Sequence, residues 1–260
     1  MKITLFTSNH SRHNYFINLL SNLSSELFVI QESRPILPAH INENLSSSNI
    51  IKNYFSKVTK AQKLLFGDGN IEKKNKNINL LLLKSGDLAK HSLSSLKNFL
   101  NSDIYIVFGS SYIKGELVDF LIKKKTINIH MGVSPYYRGA ACNFWALYDN
   151  NPHLVGATIH LLSKGLDSGP ILYHAMSELR NDPFVYTMST VKSALHSVIE
   201  RIKNKKIFDY KPVPQDKSKE IRYSKKIHFN EEIVNQFFKK KIDLKNEFKL
   251  ELLKDPFFLK

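Results

Sequence analysis

Short, mostly apolar runs return four times in the first 110 residues: KITLFT (Lys2–Thr7), ELFVIQE (Glu26–Glu32), NINLLLL (Asn77–Leu83) and DIYIVFGS (Asp103–Ser110). Runs that do not alternate with polar residues need apolar neighbours on both faces, which is the situation of a parallel strand covered by helices. The intervening stretches supply the helices. RHNYFINLLSNL places Tyr15, Phe16, Ile17, Leu19, Leu20 and Leu23 at helical spacing. YFSKVTKAQKLLF (Tyr54–Phe66) and SLSSLKNFLNS (Ser92–Ser102) also read as helices. Strands alternating with helices predict an α/β layer, doubly wound on a mostly parallel sheet, with right-handed crossovers. The rest of Ser33–Asp68 is expected to wrap the sheet edge. The first loop, TSNHSRH, lacks the GxGxxG of a dinucleotide-binding turn.

Further on, LVGATIHLLSKGLDSGPILYHAMSEL reads as two strands around a Gly/Asp/Ser turn. FVYTMSTVKSALHSVIERIKNKK is a long amphipathic helix whose terminal lysines suit the helix dipole. DYKPVPQDKSKE is a Pro-punctuated connector, and Asn230–Leu253 is read as one or two short helices. The expected organisation is a domain over residues 1–206 and a connector with a short helical extension over 207–260, too small for a core of its own.

The formal charge is +15. Either an anionic partner or a general enrichment in Lys accounts for it. Runs such as KKNKNIN and KKKIDLKNEFK carry few aromatics and no nucleic-acid motif, which favours solvated faces and leaves room for a local phosphate site. No apolar run reaches the roughly 18 residues of a spanning helix, and the N-terminus turns polar too soon for a secretory signal. The single Cys142 forms no internal disulfide. A cytoplasmic protein is expected, with the oligomeric state open and a homodimer among the options.

The densest stretch is INIHMGVSPYYRGAACNFWALYDNN, Ile127–Asn151. With Thr126–His130 as a strand end, Asn128 and His130 project to one face and Ile127 and Ile129 to the other. Open parallel sheets bind ligands beyond the carboxyl ends of their strands. Asp167 follows in KGLDSG, between glycines that permit close approach. Alone, an N-x-H pair also fits a satisfied core pair, and an Asp-Ser-Gly sequence fits a plain turn.

The whole order (N-x-H, P-x-x-R-G, an aromatic helix, G-x-T-I, G-x-D-x-G-x-I-L) resembles the folate-dependent formyltransferases, which include glycinamide ribonucleotide, methionyl-tRNA and sugar N-formyltransferases. It is carried by Asn128, His130, Pro135, Arg138, Gly139, Trp145, Gly156, Thr158, Ile159, Gly165, Asp167, Gly169, Ile171 and Leu172. One departure is MGVSPYYRG where the family commonly has a Ser-Leu-Leu-Pro run. That wording looks more like members associated with bacterial surface-sugar pathways.

The resemblance implies 10-formyltetrahydrofolate as formyl donor, no metal, and an amine acceptor, here a nucleotide-linked amino sugar of surface polysaccharide (O-antigen) synthesis. It implies catalytic roles for Asn128, His130 and Asp167. It also implies a pterin slot lined by Phe108, Gly109, Ser110, Tyr112 and Ile113, facing Leu162, Lys164, Gly165 and Asp167. Arg12, Tyr137 and Arg138 are the acceptor candidates, with Trp145 and Phe144 favoured as packing residues. A methionyl-tRNA formyltransferase is the alternative within the family, although the tail lacks the strand patterning of its C-terminal barrel. A deformylase using water and a non-catalytic folate or nucleotide binder are the other readings.

Overall fold

The structure is a computed structural model that describes residues 1–33, 48–72, 75–244 and 248–259. The residues expected to wrap the sheet edge include 34–47, which lie outside the described ones. The strands are β1 (Lys2–Ser8), β2 (Glu26–Ser33), β3 (Ile78–Lys84), β4 (Ile104–Phe108), β5 (Ile127–His130), β6 (Tyr137–Gly139), β7 (Ala157–Leu161), β8 (Ile171–Ser177), β9 (Arg222–Ser224) and β10 (Phe257–Leu259). The helices are α1 (Ser11–Leu23), α2 (Asn49–Phe66), α3 (Leu93–Leu96), α4 (Glu116–Lys123), α5 (Cys142–Tyr148), α6 (Pro183–Lys203) and α7 (Glu231–Lys239).

Eight strands form one sheet in the order β10-β8-β7-β5-β4-β1-β2-β3. From β3 to β5 all neighbours are parallel, and β7 then runs antiparallel to both β5 and β8. Strands β1, β2 and β4 bury both faces, as their composition requires, whereas β3, at the sheet edge, leaves Leu80 and Leu82 exposed, contrary to the expectation for that run. Ile3 and Leu5 pack with Phe16, Leu20 and Leu195, whereas Phe6 packs with Leu96, Leu117 and Leu121. A fully buried side chain of this size contributes about 1.5–3 kcal/mol. A third cluster, rich in aromatics, joins α2, α5, α6 and α7 around the Tyr54 ring, which meets Phe144, Phe184 and Phe229 edge-on.

Helix α6 starts where Asp182 accepts from the backbone N–H groups of Phe184 and Val185, at 2.8 and 2.9 Å, with Pro183 in the first turn. The helix read over Ser92–Ser102 is only the single turn α3 and a following 3-10 turn. Ser92 caps the turn by accepting from Ser95 N–H, but Ser95 Oγ donates back to the Ser92 carbonyl, a local bond that competes with helix propagation.

The chain after α6 folds back on the molecule. β9 lies beside β6, α7 packs Val234 and Phe237 into the aromatic cluster, and β10 extends the main sheet beside β8. Arg201, 5% exposed, stacks 3.8 Å above the Tyr173 ring and donates to Asp255 at 3.0 Å, fastening this segment to α6 and β8. No helix of the described residues is long and apolar enough to cross a membrane.

Candidate active site

Strand β5 is where the sheet changes from parallel to antiparallel, and β7 pairs with it so that Asn128 faces His160 and His130 faces Thr158. Ile127 and Ile129 enter the core, and Asn128 and His130 open onto a cleft of about 1030 Å³. Thr158 Oγ1 donates to the Gly132 carbonyl at 2.6 Å and accepts from Ser134 N–H at 2.8 Å, which fixes the turn that follows His130.

Asp167 enters from the β7–β8 turn, with backbone in the left-handed region at φ 48°. Its Oδ1 lies 3.3 Å from His130 Nδ1, so the structure brings Asn128, His130 and Asp167 together. The turn closes this tightly because residue 169 is Gly: a Cβ there would lie 1.7 Å from the Leu161 carbonyl oxygen. Burial disfavours the charged imidazole, but the Asp167 carboxylate overrides it and holds His130 well above its ordinary pKa of 6.5. Burial likewise works against the Asp167 carboxylate, and His130 outweighs it, leaving Asp167 below its ordinary value. The pair is therefore imidazolium and carboxylate at neutral pH. His130 Nε2 lies 3.3 Å from the Tyr137 carbonyl oxygen, so each nitrogen of the imidazolium has an acceptor beside it.

One wall of the cleft is the loop after β4, including Phe108, Gly109, Ser110, Tyr112 and Ile113. Gly109 has φ 76°, and a Cβ there would sit 2.6 Å from His13 Nε2. The wholly buried Glu32 at the end of β2 pins this loop by accepting from the Ser111 backbone N–H and, at 2.7 Å, from its hydroxyl. Glu32 also accepts from Gly86 N–H at 2.7 Å. Leu162, Gly165 and Asp167 line the cleft as expected positions. Lys164 is absent from the lining: its ammonium pairs with Asp119 at 2.7 Å, and its carbonyl accepts from the Tyr112 hydroxyl at 2.6 Å.

Of the acceptor candidates, Arg12 lines the cleft and donates to Gln62 Oε1. The structure does not bring the other two side chains into the cleft. Tyr137 is 1% exposed, and its hydroxyl is bonded to Asp149 and Asn151 at 3.2 and 2.8 Å. Arg138 pairs with Glu220 at 2.9 Å and donates to the Leu166 carbonyl at 3.0 Å, bracing the turn that bears Asp167. Trp145 is buried beneath the Arg222 guanidinium, 4.5 Å from its ring, and Phe144 is buried too.

Sequence reasoning missed four groups. His160 touches Asn128, Cys142 adjoins His130, and Lys226 and Phe229 reach the cleft from the segment after β9. His160 shares a face of β7 with Thr158 by simple alternation, a usable signal once β7 is paired with β5.

The family model described as Formyl transferase matches residues 52–202, more than half of the chain, and the chain belongs to that family. Among relatives, it is 27% identical over 149 residues to a methionyl-tRNA formyltransferase of Prochlorococcus marinus subsp. pastoris, covering 54% of this chain and 45% of that protein. The matches span less than half the length of the first relatives found. The fold is similar to the N-formyltransferase of Helicobacter canadensis, solved with folinic acid and dTDP-3-aminofucose (TM-score 0.53, 13% identity, 91% of this chain and 79% of that one). It is also similar to phosphoribosylglycinamide formyltransferase of Anaplasma phagocytophilum (TM-score 0.52, 22% identity, 80% and 88%). The protein is thus a member of the formyl transferase family with the formyltransferase α/β fold.

Proposed function

We propose that this enzyme moves a formyl group from 10-formyltetrahydrofolate to the primary amine of a nucleotide-linked amino sugar, for surface polysaccharide. The observation that carries the reading is the meeting of Asn128, His130 and Asp167 on one cleft wall. When the amine attacks the formyl carbonyl, negative charge develops on its oxygen. Asn128 and the His130 imidazolium are the donors that would meet that charge, and Asp167 keeps the imidazole protonated and oriented. A 3.3 Å contact to Asp167 is long for a charge-assisted bond, which leaves the Nδ1 proton open to sharing with an incoming oxygen.

The donor fits the residues present. The wall from Phe108 to Ile113 offers backbone donors and acceptors held rigid by Glu32, opposite Leu162 and Gly165. The far side of the same cleft suits an aromatic, anionic acceptor: Tyr54 and Phe55 of α2, Phe229, and the cations Arg12 and Lys226 line it, while Asp167, already paired with His130, is the carboxylate among the lining residues. Residues 1–206 would carry the transfer chemistry, and 207–260 would add Lys226 and Phe229 to the acceptor wall.

Incubation with the formyl donor and a panel of amino-sugar nucleotides, with products scored by mass, tests the reading. Formylation of at least one such nucleotide is expected. Faster formylation of charged initiator tRNA than of every nucleotide tested would replace the sugar acceptor with tRNA.

A further inference from the structure

We propose that His160 is a positioning residue that sets which end of the Asn128 amide meets the reacting carbonyl; the inference rests on the formyl-transfer reading above. His160 lies opposite Asn128 in the β5–β7 ladder, with Asn128 Nδ2 2.9 Å from His160 Nε2. The other ring nitrogen, Nδ1, is 2.8 Å from the Leu161 carbonyl oxygen. A carbonyl only accepts, so Nδ1 carries the ring proton, and in a neutral ring Nε2 is then left as an acceptor. The Asn128 group facing it must be the NH₂. A flipped amide would set its Oδ1 lone pairs against the lone pair of Nε2.

One amide N–H is thereby given to His160, and the second remains for an oxygen in the cleft. The ring stays neutral because His160 is 1% exposed and burial lowers its pKa to about 4 despite Asp167 nearby. The local backbone serves the same end. The register of β7 against β8 shifts between Ile159 and His160, a bulge of the kind that re-aims a side chain. A Cβ on residue 169 would also lie 2.8 Å from His160 Nδ1, so Gly169 lets the turn close over the ring.

Two substitutions separate positioning from mere support. His160→Gln keeps an acceptor oxygen that reaches Asn128. His160→Asn keeps a donor for the Leu161 carbonyl and has nothing to offer Asn128. The expected result is a kcat near wild type for His160→Gln and a kcat reduced at least about tenfold for His160→Asn, with donor KM little changed in both, since a misaimed oxyanion donor is lost only in the transition state. In an Asn128→Ala background, His160→Asn should cost no further rate, because residues acting as a unit are not additive. Thermal unfolding of each variant reports whether the fold survives. Multiplying losses in the double variant, or His160→Asn outperforming His160→Gln, would overturn the proposal. A wild-type rate in Asn128→Ala alone would instead remove the formyl-transfer role of Asn128, and the His160 proposal with it.

Discussion

Asp167 reaches His130 Nδ1 at 3.3 Å from a backbone held at φ 48°, so the charge state of the histidine depends on a turn. Without the carboxylate charge, the largest influence left on His130 is burial, which disfavours the imidazolium. Asp167→Asn should therefore lower kcat at pH 7.5, where the ring becomes neutral, and recover part of it as the pH drops toward 6. The wild type should be flat across that interval, its raised pKa keeping the ring charged. A pH–rate profile of the variant that superimposes on the wild type would remove Asp167 from the reaction.

Asn128→Ala and His130→Ala should each lower turnover by about 100–1000-fold, the usual cost of one oxyanion donor. Binding of the folate donor, measured by titration at equilibrium, should barely change, because the charge these groups meet is absent in the ground state. Parallel losses of affinity and rate would mark both as ordinary binding contacts.

Stability should fall on acidification between pH 6.5 and 4. His160 and His174 are both buried with pKa lowered to about 4; His174 Nε2 is 2.9 Å from the Ser134 carbonyl, and its Nδ1 accepts from Lys254 N–H. The unfolded chain, with ordinary values near 6.5, binds more protons across that window, so protons favour unfolding. His130 does not offset this, since the stabilisation from its raised pKa is already complete below 6.5, and that from Asp167 is lost only below its ordinary value. Each buried histidine should cost on the order of a few kcal/mol by the lower limit. Urea unfolding at pH 6.5 and pH 5 checks the sign, and greater stability at pH 5 would contradict it.

Lys226→Ala and Arg12→Ala should each raise the acceptor KM several-fold and leave donor KM unchanged. A diphosphate meeting two cations gives a shallow dependence of acceptor binding on salt, whereas a polynucleotide gives a slope of roughly 0.7–0.9 per phosphate contact, summed over many. A steep slope, with both variants silent, would return tRNA to the leading place.

The parallel half of the sheet is legible because each apolar run exceeds what one buried face needs. Asn128, His130 and Asp167 are legible for a different reason: alternation puts the first two on one face, and flanking glycines mark the third. His160 was not legible, because its role depends on the register between β5 and β7, which 26 intervening residues leave open. The strands β9 and β10 are three residues each, too short for any periodicity, and are specified by what they meet: β6 in one case, β8 and the Arg201–Asp255 pair in the other. Tyr137 and Arg138 misled because an aromatic and a cation beside the Pro-containing turn look like ligands, while their partners Asp149 and Glu220 are distant in sequence.

The ladder that sets Asn128 opposite His160 and His130 opposite Thr158 separates two kinds of determinant in one protein. Asn128 and His130 are written into strand pairing, whereas the surface proposed to meet the acceptor is written into α2 and the segment around Lys226 and Phe229. Substrate choice can therefore drift, or be redesigned, through residues that share no backbone with the chemistry. Length is the forbidden variable: deleting one residue within β5 would turn Asn128 into the core and Ile129 into the cleft, inverting the site while leaving the composition of the strand almost untouched.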